Sequence, residues 1–161
     1  MLLQRDLINL MRIAINNSKL DISDIDSTKK LAEDFVNHLK KGSFVFLYGE
    51  IGVGKTTFVK HFINTYQIYK NLEISEVTSP TFSLMNEYEI GELVIKHYDL
   101  YRLKSKSEIK NLDIFDIDKN TITFIEWPEL VYKKKLLNSV DLIFSYENNH
   151  DNRFIKISGL T

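Results

Sequence analysis

The chain has 161 residues, of which 43% are hydrophobic and 27% charged, and its formal net charge is −1. This composition is that of ordinary folded domains rather than of disordered chains, and the length fits one domain with its own core. The balanced charge excludes a whole-molecule basic field that would attract nucleic acid non-specifically. Cysteine and a secretory cleavage pattern are both absent, which excludes disulfides and cysteine-rich metal sites and makes a cytoplasmic protein the expectation.

Residues 1–19 are rich in apolar side chains, but Arg5 and Arg12 interrupt them, so this stretch is too short and too charged to span a membrane. Three interpretations stay open: an amphipathic helix, a first edge strand, or an extension whose true start is Met11. We expect an N-terminal extension or edge segment over residues 1–19 and a single domain over residues 20–161.

A helix is predicted from Ser27, which precedes apolar residues at helical spacing, until Gly42 stops the pattern. Residues 43–48 then form a mostly apolar run, typical of a strand buried in a parallel sheet. Helical spacing returns over residues 58–66, which predicts an amphipathic helix. Between this strand and this helix lies a G-x-x-x-x-G-K-[ST] sequence, the pattern of a phosphate-binding loop (P-loop) in its usual setting of strand, loop and helix.

The chemistry of this loop explains its residue types. Its glycines lack a Cβ, so the backbone can take positive φ and turn successive N–H groups toward phosphate oxygens. The start of the following helix adds unpaired amides and a partial positive charge. Lys55 would reach the β- and γ-phosphates and the Thr56 hydroxyl would hold Mg²⁺, so ATP and Mg²⁺ are the expected cofactors. The expected nucleotide-binding residues are Gly49, Glu50, Ile51, Gly52, Val53, Gly54, Lys55, Thr56 and Thr57.

The second half of the chain predicts an antiparallel piece within an α/β pattern. Pro80 shapes a loop over residues 77–82, and side chains alternate over residues 81–88 and 93–98 across a turn at Gly91, which predicts a hairpin. The further predicted elements are a short helix over 107–115, a buried strand over 122–125, a helix with a basic face over 130–137, and strands over 140–146 and 153–157. The predicted fold class is α/β: a P-loop NTPase-like mixed sheet flanked by helices, with an antiparallel hairpin portion.

Two acidic residues end apolar strands and are candidates for the metal site. A P-loop needs an acidic partner for its metal, normally at the carboxyl end of a nearby strand. Glu126 follows the strand over 122–125, and its carboxylate oxygens suit Mg²⁺, although most such sites use the shorter Asp. Asp99 follows the strand over 93–98 and is the second candidate, for the metal shell or for ordering the attacking water. For both residues the alternative is a solvated acid at a strand end.

Four motifs of the chain resemble the successive motifs of the TsaE (YjeE) family, in order and in spacing: residues 49–56, 78–82 (TSPTF), 97–103 (HYDLYRL) and 125–129 (IEWPE). The similarity runs from residue 21 to residue 157 and leaves residues 1–19 outside. Members of that family are small bacterial P-loop ATPases with a modified sheet. They act with the TsaB and TsaD proteins in forming N6-threonylcarbamoyladenosine at position 37 of tRNA. The resemblance implies a weak ATPase whose hydrolysis resets that complex and which meets tRNA only through it.

The resemblance also implies roles for individual residues. Lys55 and Thr56 would bind phosphate and Mg²⁺, Glu126 would be the metal carboxylate, and Asp99 would be needed for hydrolysis. The expected catalytic residues are therefore Lys55, Asp99 and Glu126, and the expected metal ligands are Thr56 and Glu126. A switch-like loop near the γ-phosphate is expected, against the alternative of an ordinary turn, over Thr78, Ser79, Pro80 and Thr81.

Three further motif residues have open interpretations. Trp127 is either packed core or an exposed aromatic for a partner, since aromatic anchors are common at interfaces. Arg102 could sense phosphate charge or form an ion pair with Asp99 or Glu126. His97 is interpreted as a structural strand residue rather than a proton carrier.

Two other functions compete with the ATPase. A small-molecule kinase shares the size and the P-loop, but many such enzymes close an arginine-bearing lid over the phosphates, and no segment after Arg102 resembles one. ADP release that depends on a small-molecule substrate would indicate the kinase. A nucleotide-gated scaffold would differ from the ATPase only in keeping its bound ATP intact.

Overall fold

The computed structural model describes residues 17–116, 118–131, 136 and 138–160. These residues form one mixed β-sheet with helices packed against it. The strands are β1 (Lys19–Asp21), β2 (Phe44–Tyr48), β3 (Met85–Ile90), β4 (Leu93–Asp99), β5 (Thr121–Glu126), β6 (Ser139–Glu147) and β7 (Asn152–Ser158). The helices are α1 (Ile25–His38), α2 (Lys55–Tyr69) and α3 (Lys106–Lys110), with a 3₁₀ turn over Pro128–Leu130.

The strand order over the described residues is β1-β7-β6-β2-β5-β4-β3, so β2 lies at the centre of the sheet. β2 runs parallel to both β5 and β6, and β4 runs parallel to β5. The β3–β4 and β6–β7 pairs are antiparallel hairpins, and β1 adds an antiparallel edge to β7. The carboxyl ends of β2, β4, β5 and β6 therefore meet at one edge, which is where α/β sheets bind ligands. The predicted α/β fold class, a mixed sheet with an antiparallel hairpin portion, is confirmed.

The packing of the core shows on which face of the sheet the last residues of β5 lie. Phe58 of α2 is fully buried, and its ring lies 5.3 Å from that of Phe35 in α1 and 6.5 Å from that of Phe124 in β5. Ile125 belongs to a second cluster, which packs with α3 on the opposite face. Because side chains alternate along a strand, Glu126 shares the α2 face with Phe124. The last residue of β5 is thereby directed toward the helix that follows the P-loop.

The boundaries of α1 differ from the prediction. The helix begins before Ser27, because Asp24 is its N-cap and the Asp24 carboxylate accepts the Asp26 amide at 3.2 Å. The helix ends at His38, and Gly42, with φ of +85°, belongs to the turn that follows.

Left-handed residues explain two further differences. β3 begins at Met85 rather than at residue 81, because Leu84 has φ of +66°, which a strand does not contain. α3 ends at Lys110 rather than at residue 115, and Asp113, with φ of +47°, prevents the helix from continuing.

Two predicted segments fall partly outside the described residues. Residues 1–16 are not described, so the interpretations of the N-terminal segment stay predictions; Lys19–Asp21 forms β1, and the boundary predicted at residue 20 lies inside this strand. The helix predicted over 130–137 is also largely outside, since 132–135 and 137 are not described. In the part of the chain that the structure describes, no helix combines the length and apolar character needed to cross a bilayer.

Candidate nucleotide and metal site

The P-loop joins β2 to α2 in the conformation that its glycines were predicted to allow. Gly49, Gly52 and Gly54 have φ of +134°, +77° and +115°. At Gly49 an added Cβ would lie 2.6 Å from the backbone oxygen of Phe144 in β6, so no larger residue fits there. α2 begins at Lys55 with Gly54 as its N-cap, and a glycine has no side chain to cap the first amides. These amides are therefore suited to an anionic ligand.

Lys55 is held inside the loop. Its side chain is 4% exposed, and Nζ donates to the carbonyl oxygens of Gly49 at 2.6 Å and Glu50 at 2.9 Å. Nζ also lies 4.1 Å from the ring centroid of Trp127, a cation–π contact. Burial lowers the pKa of Lys55, and the carboxylate of Glu126 is the largest opposing influence.

Glu126 ends β5 and directly faces α2. It is 3% exposed, and its Oε1 accepts a hydrogen bond from the Thr56 hydroxyl at 2.7 Å. The same oxygen lies 2.8 Å from Nε2 of His97, which is fully buried. The structure therefore brings the two predicted metal ligands into direct contact.

Asp99 ends β4 and pairs with Glu126 in the β4–β5 register. It is 4% exposed, and its Oδ2 accepts bonds from the hydroxyls of Ser79 at 2.5 Å and Thr81 at 3.0 Å. Its Oδ1 accepts the Tyr101 amide at 3.0 Å. Both carboxylate oxygens are thus fixed by protein donors.

The predicted switch-like loop divides into two parts. Ser79 and Thr81 contact Asp99 and also each other, with 2.9 Å between their hydroxyl oxygens. Pro80 is buried and its carbonyl accepts the Leu84 amide at 2.7 Å, whereas Thr78 is exposed. The loop therefore reaches the site through Ser79 and Thr81.

Trp127 lies between its two predicted alternatives, and of the two predicted for Arg102 only the ion pair can be compared with the structure. Trp127 is half-buried, has φ of +57°, and its ring lies 4.8 Å from that of Tyr101. Arg102 is exposed and its guanidinium lies 5.0 Å from the centroid of the Phe82 ring. Among the described residues it forms no ion pair with either acid of the site.

These groups surround one cleft of about 300 Å³, lined by Ile51, Gly52, Lys55, Thr56, Ser79, Thr81, Asp99, Tyr101, Glu126 and Trp127. Over the described residues no group of three or more His, Cys, Asp or Glu could hold a metal alone. Mg²⁺ does not require one, because it normally takes one or two protein oxygens and completes its shell with water and phosphate. The Thr56 hydroxyl and Glu126 carboxylate, beside a phosphate-binding loop, fit that requirement.

Two features of the site were missed by the sequence analysis. His97 was interpreted as structural only, yet it contacts Glu126; since it lies two residues before Asp99 on one strand, period-two alternation could have indicated it. The other feature lies on the β6 side of the P-loop. There the rings of Tyr146 and His150 are 4.4 Å apart, and His150 Nε2 is 3.8 Å from Glu50 Oε2. Nothing in the local sequence predicted that proximity.

Comparison with known proteins agrees with the resemblance of the motifs. A family model described as threonylcarbamoyl adenosine biosynthesis protein TsaE matches residues 22–155. A Rickettsia bellii protein named tRNA threonylcarbamoyladenosine biosynthesis protein TsaE is 37% identical over 115 residues, which is 71% of this chain and 77% of that protein. A Haemophilus influenzae protein of the same name is 33% identical over 135 residues, covering 83% of this chain and 81% of its own.

Among solved structures, the crystal structure of Bacillus subtilis YdiB matches with a TM-score of 0.67 at 24% identity, covering 89% of this chain and 86% of that one. This likeness supports the fold, and the family match extends over most of the domain. The family predicted from the four motifs is confirmed, and the chain belongs to the TsaE family.

Proposed function

We propose that the protein is a Mg²⁺-dependent ATPase that acts in the formation of threonylcarbamoyladenosine in tRNA. The observation that carries the ATPase is the bond from the Thr56 hydroxyl to Glu126, directly beside the P-loop. Membership of the TsaE family, and the names of the relatives, support the biosynthetic role.

The phosphate end of ATP would lie over the P-loop. The glycine backbone and the start of α2 supply N–H donors, and Lys55 adds an ammonium group as a point charge for the β- and γ-phosphates. Thr56 and Glu126 would hold Mg²⁺, which neutralises charge on the phosphate oxygens when it is bound. The Trp127 ring contacts the Lys55 ammonium group, which is buried.

Asp99 would supply the acceptor needed for hydrolysis. Its carboxylate is fixed by Ser79, Thr81 and the Tyr101 amide, so it is already oriented in the cleft. A carboxylate held in this way can accept a proton or a hydrogen bond from the attacking water, or from a water of the metal shell.

The nucleoside end would lie on the opposite side of the P-loop from the acids. β5, with Glu126, flanks β2 on one side, and β6 flanks it on the other. The Tyr146 side chain lies near the loop on the β6 side, with its hydroxyl 3.3 Å from the position that a Cβ on Gly52 would occupy. The His150 ring packs against the Tyr146 ring at a tilt of 50°. Such a pair of rings offers an aromatic surface to a purine.

We further propose that TsaB and TsaD proteins are the partners, that tRNA is met only through their complex, and that hydrolysis resets it. Depletion of the protein, followed by measurement of threonylcarbamoyladenosine in total tRNA, tests the biosynthetic role. We expect the modification to be lost. Unchanged modification would refute the biosynthetic role. ATP turnover of the purified protein, alone and with the two partners, tests the ATPase separately. We expect slow turnover alone and faster turnover in the complex.

A further inference from the structure

His97 is a buried polar side chain behind the metal ligands. It lies in β4 on the face shared with Asp99 and is 0% exposed. Its Nε2 is 2.8 Å from Glu126 Oε1, while its Nδ1 is buried and has no hydrogen-bond partner among the described residues. A solvent-shielded imidazole with one satisfied nitrogen needs an explanation beyond the packing of the strand.

The surroundings of the two ring nitrogens determine which of them carries the proton. A buried N–H without an acceptor loses its hydrogen bond to water and gains none in return, so a proton on Nδ1 would be unfavourable. A carboxylate oxygen can only accept, and Nε2 must therefore carry the proton to make the bond to Glu126. We assign to His97 the arrangement in which Nε2–H donates to Oε1.

This bond completes an asymmetric arrangement at the Glu126 carboxylate. Oε1 accepts from both the Thr56 hydroxyl and His97, whereas neither of these bonds uses Oε2. The terminal torsion of a glutamate is otherwise broad, so a single donor would leave the carboxylate free to rotate. With Oε1 held from two directions, Oε2 is the oxygen that remains for a ligand in the cleft.

We propose that His97 is a positioning residue for Mg²⁺, which holds Glu126 Oε1 through its Nε2–H group so that Oε2 faces the metal. This proposal rests on the proposed binding of Mg²⁺ and ATP. Outer partners that orient metal ligands commonly change metal affinity about 10–100-fold when they are removed, and His97 occupies such a position.

Calorimetry with a non-hydrolysable ATP analogue tests the proposal, with the analogue titrated in EDTA and then over a series of Mg²⁺ concentrations. His97→Leu removes the donor at similar volume, and His97→Gln keeps an N–H at similar reach. The control His38→Leu replaces another buried histidine, at the end of α1. For His97→Leu we expect about a tenfold rise in the Mg²⁺ concentration at half-effect, with unchanged affinity in EDTA. His97→Gln should remain within about threefold of the parent, since it keeps the hydrogen bond.

A parent-like Mg²⁺ midpoint in His97→Leu, or an equal shift in both His97 variants, would overturn the positioning role. If the unmodified protein bound the analogue without any response to Mg²⁺, the proposed metal site itself would fail, so the two failures are distinguishable. The ¹⁵N NMR spectrum of histidine-labelled protein gives an independent result that needs no variant. We expect a proton on Nε2 of His97, and an Nε2 without a proton would refute the proposal.

Discussion

Lys55→Met is expected to separate ligand binding from folding. Nζ of Lys55 makes two charge-assisted hydrogen bonds to loop carbonyls, at 2.6 and 2.9 Å. Equivalent bonds to two phosphate oxygens would contribute about 1.5–3 kcal/mol each, or about 3–6 kcal/mol together. At 1.4 kcal/mol per factor of ten, their loss weakens ATP binding roughly 10²–10⁴-fold. Methionine keeps the length of the side chain but cannot donate.

In the absence of ligand, the same substitution is expected to leave the free energy of unfolding unchanged or to raise it. Burial lowers the pKa of Lys55, so folding disfavours its ammonium form. Below the folded-state pKa the charged lysine therefore lowers the free energy of unfolding, and this penalty fades as the pH rises through that pKa toward the ordinary value. Lys55→Met should unfold at an equal or higher denaturant midpoint at pH 7, and its advantage over the parent should shrink in alkaline buffer.

Calorimetry with ATP and urea unfolding at two pH values measure both effects. Lys60→Met is the matched control, because Lys60 is an exposed lysine of the same helix, and it should change neither quantity. ATP affinity within about threefold of the parent would refute the proposed role of the Lys55 charge, since even one lost bond predicts a larger change. A clearly lower unfolding midpoint in Lys55→Met would refute the argument from burial.

Three further predictions concern the acids and the loop beside them. Glu126→Gln should lower Mg²⁺-dependent hydrolysis about 10²-fold or more while ATP stays bound, since Lys55 and the loop amides remain. Turnover at the parent rate would mean that another residue is the metal ligand. Asp99→Asn should slow hydrolysis about 10²-fold with little change in KM, since it weakens an acceptor rather than a phosphate contact; a rise in KM with unchanged kcat would contradict this. Hydrogen exchange over residues 77–89 should differ between an ATP analogue and ADP, and identical protection, with and without partners, would mean a fixed turn.

The parts of the site that the sequence predicts are those fixed by local geometry. The P-loop requires glycines at set positions between a strand and a helix, so spacing alone indicates it. Glu126 and Asp99 each end an apolar run, and the carboxyl ends of parallel strands share an edge. For these residues the local sequence pattern is sufficient to predict where they lie in the folded protein.

The remaining contacts depend on the topology of the sheet. Ser79 reaches Asp99 because the loop before β3 crosses back over the end of β4, and no residue spacing specifies that crossing. Tyr146 lies beside the P-loop only because β6 pairs with β2, which is one of several strand orders open to this sequence. Trp127 adopts a left-handed φ that its residue type disfavours, so its position over Lys55 could not be predicted.

The contacts of Asp99 also limit what its loop can do. Moving a two-state equilibrium from 1:99 to 99:1 needs about 5.5 kcal/mol of differential binding. The bonds from Ser79 and Thr81 to Asp99 are the loop's hydroxyl contacts to the site, and because the acceptor is charged each contributes about 1.5–3 kcal/mol, so only the complete loss of both would approach that value. A change at the γ-phosphate would redistribute these bonds rather than remove them, because Asp99 remains as an acceptor. The loop alone should therefore respond gradually to ATP and ADP, and a decisive change requires a partner that binds one of its conformations more tightly.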